Sequence, residues 1–103
     1  MKALVYDGPG KRSWKEVPKP ALQKPSDALV RITRTTICGT DLHILKGDVA
    51  TCAPGRVLGH EGVGLVEEVG AAVAGFKVKD RVLISCITSC GRCGACRPPA
   101  WTP

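Results

Sequence analysis

The chain has 103 residues, enough for one domain of ordinary size and too few for two. Hydrophobic residues make up 44%, which argues against disorder, while aromatic residues are only 4%, so the core must rest on Val, Leu, Ile and Ala. The formal net charge of +6 does not indicate nucleic-acid binding, because the basic residues are dispersed and no basic run alternates with aromatic residues.

Targeting and membrane segments are not recognisable. The first apolar run is too short for a signal-peptide core, and no window approaches the ~18 apolar residues of a membrane-spanning helix. We therefore expect a soluble, cytoplasmic protein with neither a membrane nor a nucleic-acid partner. In that compartment, six cysteines indicate metal binding or reactivity more than disulfides.

The first half of the chain predicts three strands and a short helix. The strands are expected at 2–6, 14–18 and 27–37, with a turn at 7–10 and an extended proline-rich segment at 18–25. The helix is expected over 40–47, with Thr40 as its cap, Leu42 and Leu45 as apolar anchors and Gly47 as its end.

The second half predicts a loop at 51–57 and two more strands, at 63–70 and 80–87, joined by residues 71–79. Short strands separated by frequent turns are typical of a small β-barrel or sandwich. The fold class predicted is therefore mainly β with one or two short helices.

The segment CGTDLH, residues 38–43, is the first of three clusters that could carry chemistry. Cys38 precedes a helix start, where free N–H groups and the helix dipole favour a thiolate, and Thr40 and His43 are spaced to share a helix face. Together they could bind a metal and pass a proton. The alternative is a buried cysteine, a capping threonine and a surface histidine.

The second cluster is GHEGVG, residues 59–64. His60 and Glu61 are both metal-competent, and the three glycines let the backbone crowd a site. The alternative is an ordinary surface His–Glu pair. A phosphate loop is not indicated, because neither G-x-G-x-x-G nor G-K-[ST] is present.

The third cluster, CGRCGAC, places cysteines at 90, 93 and 96 with a glycine after each of the first two. This C-x-x-C-x-x-C spacing favours three thiolates converging on one metal ion. A thioredoxin-type C-x-x-C explains only two of the three, and no helix pattern follows. Cys52 and Cys86 fit neither cluster and are predicted to be buried apolar thiols.

Taken together, the three clusters resemble the zinc-dependent medium-chain alcohol dehydrogenases, in which CG[ST]D-x-H, GHE-x-x-G and C-x-x-C-x-x-C follow one another in this order. The sequence Lys79-Asp80-Arg81-Val82 also stands where the family commonly has Gly-Asp-Arg-Val. The resemblance extends from residue 1 to residue 97. It implies a GroES-like β-barrel, the N-terminal part of the family's catalytic domain.

The resemblance also implies roles for individual residues. Cys38 and His60 would be ligands of a catalytic zinc, and Glu61 the neighbouring carboxylate that ligates or supports it. Thr40 would contact the substrate hydroxyl and begin a proton relay, with His43 further along it. The reaction implied is alcohol oxidation with hydride transfer to NAD or NADP, on a small alcohol or aldehyde substrate, in an enzyme that is a homo-oligomer at full length.

A structural zinc is implied for Cys90, Cys93 and Cys96, in a partial lobe over residues 86–97. The family's fourth cysteine would fall just beyond Pro103, and residues 98–103 do not match the family, so we expect an aberrant, disordered tail and hypothesise a frameshift. The nucleotide-binding domain with its G-x-G-x-x-G fingerprint is absent from the chain. We therefore expect no activity from the chain alone and less than one firmly bound zinc.

Two other functions remain open from the sequence. One is a stand-alone zinc-binding or interaction module without catalysis. The weaker one is a basic zinc knuckle that binds nucleic acid, which salt-sensitive binding would reveal.

Overall fold

The computed structural model describes residues 1–87, 89, 90, 93 and 96. Five strands and one helix lie in this part of the chain: β1 (Lys2–Gly8), β2 (Lys11–Glu16), β3 (Ala28–Thr35), α1 (Gly39–Lys46), β4 (Gly62–Val69) and β5 (Arg81–Ile84). The prediction of a mainly β fold with a short helix is confirmed.

Strands β1 and β2 form an antiparallel hairpin. Gly8 and Gly10 adopt φ of 126° and 72°, the left-handed region that glycine enters at no steric cost, so the chain reverses at once and pairing resumes at Lys11. Strand β2 therefore begins three residues before the predicted start at Trp14. Its alternating polar and charged residues gave no hydrophobic pattern that would reveal the start.

The second sheet is antiparallel with the order β3-β4-β5. Strand β4 lies in the middle, and Gly62, Gly64 and Val66 are its buried positions. A Cβ atom on Gly64 would collide with the carbonyl oxygen of Arg31, so only glycine allows β3 and β4 to approach here.

The core is small and centres on β1 and β4. Its buried hydrophobic side chains, among the described residues, are Ala3, Val5, Tyr6 and Val66, of which Val5 is fully buried. Residues 55–58 run beside β1 and hydrogen-bond to it, so the β1–β2 hairpin is tied to the segment that leads to His60. None of the helices in the described ranges is long and apolar enough to cross a membrane.

Helix α1 begins one residue before its predicted start. Its N-cap is Cys38, in extended conformation at φ −121°, and not Thr40 as predicted. Leu42 is also not an anchor, since it is 57% exposed, whereas Leu45 is half-buried. Gly47 ends the helix as predicted, in the left-handed conformation, and its N–H bonds the Ile44 carbonyl.

The turn before β5 contains a non-glycine residue in the left-handed region, Lys79 at φ 76°. Its N–H donates to the Val66 carbonyl at 2.8 Å, and Asp80 O accepts from Val66 N at 2.9 Å, so β4 holds this turn on both sides. The family that the sequence resembles commonly has glycine at this position. The positive φ explains that preference, because glycine adopts it without steric cost.

Strand β5 is shorter than predicted and ends at Ile84. Cys86, predicted to be buried, is exposed, because the chain leaves the sheet before reaching it; Cys52 is half-buried. The predicted zinc lobe at 86–97 is described only in part. The predicted aberrant tail at 98–103 lies outside the described residues.

Candidate metal centres

The structure brings Cys38, His60 and Glu61 together from distant parts of the chain. Their ligand atoms all lie within 4.8 Å of one another, and Cys38 Sγ is 3.3 Å from His60 Nε2 across a separation of 22 residues. Cys38 and His60 are half-buried, whereas Glu61 is exposed. One thiol, one imidazole and one carboxylate thus converge at a partly exposed site.

Cys38 is held by the start of α1. Its backbone N–H donates to Asp41 Oδ2 at 2.9 Å, an interaction in which the third helical residue reaches back to the N-cap. This contact fixes the backbone from which the thiol projects. The helix N-terminus also supplies partial positive charge beside the sulfur.

His60 is held by an irregular segment that behaves as an extra strand. Leu58 N donates to the Leu4 carbonyl at 2.9 Å, and Tyr6 N donates to the Arg56 carbonyl at 2.9 Å. Gly59 then takes φ 98°, which turns the chain sharply before His60. The glycine of the GHE sequence is therefore required by the bend that aims His60 at Cys38.

Glu61 is anchored through its backbone. The hydroxyl of Thr35, at the end of β3, donates to the Glu61 carbonyl at 2.7 Å, just before β4 begins at Gly62. The Glu61 side chain is left exposed. Its carboxylate can therefore approach or leave a bound ion without disturbing the sheet.

Thr40 and His43 lie on α1, and both are exposed. The His43 ring bonds Asp48 beyond the helix end, with 3.2 Å between Nδ1 and Oδ2. His43 is thus directed toward the C-terminal end of the helix, while Cys38 stands at the N-terminal end. The Cys38 thiol, the Thr40 hydroxyl and the His43 imidazole are therefore spread along the helix and do not form the predicted cluster. The imidazole that lies beside the Cys38 thiol is that of His60.

Asp41 is the residue that sequence reasoning missed. It is 4% exposed, and within the described part of the chain its Oδ1 is buried without a hydrogen-bond partner. It lines a cavity of about 290 Å³ together with His60, Cys52 and Arg56. The sequence did contain a signal for Asp41, because an aspartate at the third helical position can accept a hydrogen bond from the backbone N–H of the N-cap residue.

Cys90, Cys93 and Cys96 form the second cluster. Cys96 Sγ lies 3.4 Å from Cys93 Sγ and 3.6 Å from Cys90 Sγ, and Cys93 N–H donates to Cys90 Sγ at 3.3 Å. A turn closed by Cys96 N and the Cys93 carbonyl, at 2.9 Å, holds the third cysteine over the first two. The predicted convergence of three sulfurs is what the spacing produces.

Both clusters have dimensions that suit zinc. With bond lengths near 2.0–2.3 Å, tetrahedral zinc places a sulfur and a nitrogen ligand about 3.6 Å apart, and two sulfur ligands about 3.8 Å apart. The separations of 3.3 Å at Cys38–His60, and of 3.4 and 3.6 Å among the three cysteines, are within a few tenths of an ångström of these values. Small rotations of the side chains would admit the ion.

Comparison with known proteins places these features in a family. Residues 24–101 match the family model of the alcohol dehydrogenase GroES-like domain. An uncharacterised zinc-type alcohol dehydrogenase-like protein of Bacillus subtilis, AdhB, is 41% identical over 97 residues, which cover 94% of this chain and 26% of AdhB. The chain spans about a quarter of the length of the curated relatives it matches.

Solved structures agree with the sequence relatives. Zinc-dependent alcohol dehydrogenase 2 of Streptococcus pneumoniae superposes with a TM-score of 0.88 at 59% identity, covering 93% of this chain and 28% of that one. A zinc-binding dehydrogenase of Sinorhizobium meliloti, solved with NADP, superposes with a TM-score of 0.71 at 36% identity, covering 92% and 27%. The GroES-like fold that the resemblance implied is confirmed, and the chain belongs to the alcohol dehydrogenase GroES-like domain family, as the N-terminal domain of the zinc-type enzymes.

Proposed function

We propose that this chain is the zinc-binding part of an alcohol dehydrogenase that, at full length, oxidises a small alcohol with hydride transfer to NAD or NADP. The observation that carries the proposal is the convergence of Cys38, from the start of α1, with the adjacent pair His60 and Glu61, 22 residues further along the chain. Neither burial nor folding requires a thiol, an imidazole and a carboxylate to meet at one point.

Cys38 and His60 would hold the catalytic zinc, and Glu61 would ligate it or support it from the exposed side. A zinc ion bound there supplies Lewis-acid chemistry that polarises an alcohol hydroxyl. Three ligands from this chain leave a position open for the substrate or for a further protein ligand. The half-buried setting of the thiol and the imidazole limits competition from water.

Asp41 would orient His60. An imidazole that gives Nε2 to a metal carries its proton on Nδ1, and that N–H needs an acceptor. Asp41 Oδ1 is a buried acceptor without a donor in the described residues, and it borders the same cavity as His60. The carboxylate would thereby select the tautomer of His60 while its other oxygen holds Cys38.

Thr40 and His43 would transfer the proton that the substrate hydroxyl releases. Thr40 lies in the first turn of α1, two residues after Cys38, and would accept the hydrogen bond of the substrate hydroxyl. His43 lies one turn further, is exposed, and bonds Asp48, so it can exchange a proton with solvent. The proton would thus pass from Thr40 beside the metal site to His43 near the C-terminal end of α1.

Cys90, Cys93 and Cys96 would hold a structural zinc. Their donor set is entirely sulfur, two of the three are exposed, and the N–H of Cys93 points at Cys90 Sγ, as in zinc knuckles. These three sulfurs by themselves would hold the ion less firmly than a four-cysteine site does.

NAD or NADP would bind to a part of the enzyme outside this chain. The NADP in the related Sinorhizobium meliloti structure supports a nicotinamide cofactor. Large exposed apolar side chains support further polypeptide packing on this domain, among them Leu83 at 78% and Ile87 at 74%. We further propose a cytoplasmic, homo-oligomeric enzyme and no activity from these residues alone.

A chimera tests this function. Residues 1–96 would replace the corresponding segment of the Streptococcus pneumoniae dehydrogenase, which is 59% identical. We expect zinc-dependent, alcohol-dependent reduction of NAD or NADP, abolished by His60→Ala and reduced but not abolished by His43→Ala. A folded chimera that binds both zinc and the nucleotide but oxidises no alcohol accepted by the host enzyme would contradict the proposal.

The second candidate function is a stand-alone zinc-binding or interaction module. The observation that favours it is that Cys90, Cys93 and Cys96 form their cluster within seven residues, without help from the other site. Zinc binding by the chain, together with an inactive chimera, would favour this candidate over the dehydrogenase.

A further inference from the structure

The geometry of the three sulfurs also permits chemistry other than metal binding. Cys93 Sγ and Cys96 Sγ are 3.4 Å apart, which is van der Waals contact for two sulfur atoms. A disulfide bond is about 2.05 Å long, so the two atoms need to approach by only about 1.4 Å. The turn that bonds Cys96 N to the Cys93 carbonyl already brings the two residues together.

The two sulfurs differ in their exposure to solvent, and so in the reaction step that each can carry out. Cys93 is exposed and meets solutes directly, whereas Cys96 is half-buried. Cys96 is also 3.6 Å from Cys90 Sγ, so it is within reach of both exposed sulfurs. An exposed thiol beside a second thiol that can resolve its oxidised form is the arrangement found at redox-sensitive cysteines.

We propose that Cys93 and Cys96 form an oxidative modification site, at which a hydroperoxide is reduced while the two thiols are oxidised to a reversible intrachain disulfide. The Cys93 thiol attacks the hydroperoxide ROOH, the O–O bond breaks, and Cys93 sulfenic acid and the alcohol ROH are formed. The Cys96 thiol then displaces the hydroxyl group of the sulfenic acid, releasing water and closing the S–S bond. The two electrons lost by the two thiols reduce the peroxide, and two equivalents of a small thiol restore both cysteines by exchange.

The modification competes with metal. A disulfide between Cys93 and Cys96 removes two of the three sulfurs, so an ion bound by the cluster would be released on oxidation. Zinc bound to the sulfurs would in turn slow their oxidation. Only this mutual exclusion rests on the proposed structural zinc, while the disulfide itself rests on the geometry of the sulfurs.

The test treats the metal-free, reduced 103-residue chain with hydrogen peroxide and maps the products by alkylation and peptide mass spectrometry. We expect one disulfide, joining Cys93 to Cys96. Cys90→Ser keeps the closer pair and should still form the Cys93–Cys96 disulfide. Cys96→Ser should slow disulfide formation by roughly tenfold or more and leave a sulfenic acid on Cys93 that a 1,3-diketone traps. Cys86→Ser, outside the cluster, should behave as the parent.

Three results would overturn the proposal: equal rates in Cys96→Ser and the parent, a disulfide that involves Cys86 or Cys38 instead, or direct over-oxidation of Cys93 to sulfinic acid in the parent. The zinc-loaded chain separates this proposal from the structural zinc. If zinc binds the cluster but the metal-free chain forms no disulfide, the modification site is wrong. If the disulfide forms but zinc neither binds nor protects, the structural-zinc assignment is wrong.

Discussion

The two candidate metal centres offer three ligands each and are constructed in opposite ways. The three cysteines come from one short segment and meet through a local turn. Cys38, His60 and Glu61 meet only because α1, the segment beside β1 and the start of β4 are folded against one another. The first cluster is therefore a property of its spacing, whereas the second is a property of the whole fold, and perturbing the fold should affect only the second.

The largest effect should come from removing the imidazole at the site that depends on the fold. His60→Ala deletes a ligand that contacts Cys38 Sγ, and we expect zinc affinity at this site to fall by roughly a hundredfold or more. His43→Ala is the matched control, because its ring bonds Asp48 at the far end of the helix, and affinity should be unchanged. Competition with a chromophoric chelator measures both variants, and equal losses would contradict the assignment of His60.

The next effect tests whether Asp41 supports that site. Asp41→Ala leaves the N–H of Cys38 without its acceptor at the helix start, and we expect a loss of about 1–3 kcal/mol in the free energy of unfolding. Asp48→Ala, on an exposed residue, should cost less than about 0.5 kcal/mol. Urea denaturation measures both, and zinc binding by the three cysteines should stay at the parental level in each. A shared loss at both metal centres would show that they are not independent.

A smaller, stabilising effect is expected in the turn that leads to β5. Lys79→Gly removes the side chain from a residue at φ 76°, a conformation that is strained for any residue except glycine. The free energy of unfolding should rise by roughly 0.5–1 kcal/mol, a net value that includes the opposing entropy of glycine in the unfolded chain. Lys79→Ala keeps a Cβ at the same φ and should give no such gain. Equal stability of the two variants by urea denaturation would show that the positive φ carries no strain.

The smallest effect concerns pH. The hydrogen bond from Lys19, helped by the charges of Lys19 and Arg31, lowers the pKa of Glu67 on β4 below its ordinary value of 4.5. A lowered pKa in the folded state contributes stability that is complete above pH 4.5 and is lost as the pH falls through the lower, folded-state pKa. The stability difference between the parent and Glu67→Gln should therefore shrink on acidification. A difference that stays constant down to about pH 3 would contradict the ion pair.

The sequence predicted the local features of the molecule well. The spacing of Cys90, Cys93 and Cys96 predicted their convergence, and Gly47 marked the end of α1. It also identified His60 and Glu61 as metal-competent, but their meeting with Cys38 followed only from the family resemblance. The hydrogen bonds that join residues 55–58 to β1 are made by backbone atoms, which leave no side-chain pattern to read.

The wrong predictions have the same cause. Thr40 was preferred as the helix cap because its hydroxyl is a common capping group, but the reach of Asp41 to Cys38 N–H starts the helix earlier. Cys86 was expected to be buried because cysteine usually is, but β5 ends before it. In each case the local course of the backbone overrode the tendency of the residue itself.

The most direct test of the two-centre account is zinc stoichiometry by native mass spectrometry, with zinc in excess. Because excess zinc also loads sites that do not hold the ion firmly, the parent chain should then carry two ions, His60→Ala one, Cys96→Ser one, and the double variant none. Loss of both ions from either single variant would show that the centres depend on each other. Two ions retained in the double variant would show that zinc binds elsewhere, and either result would contradict the account.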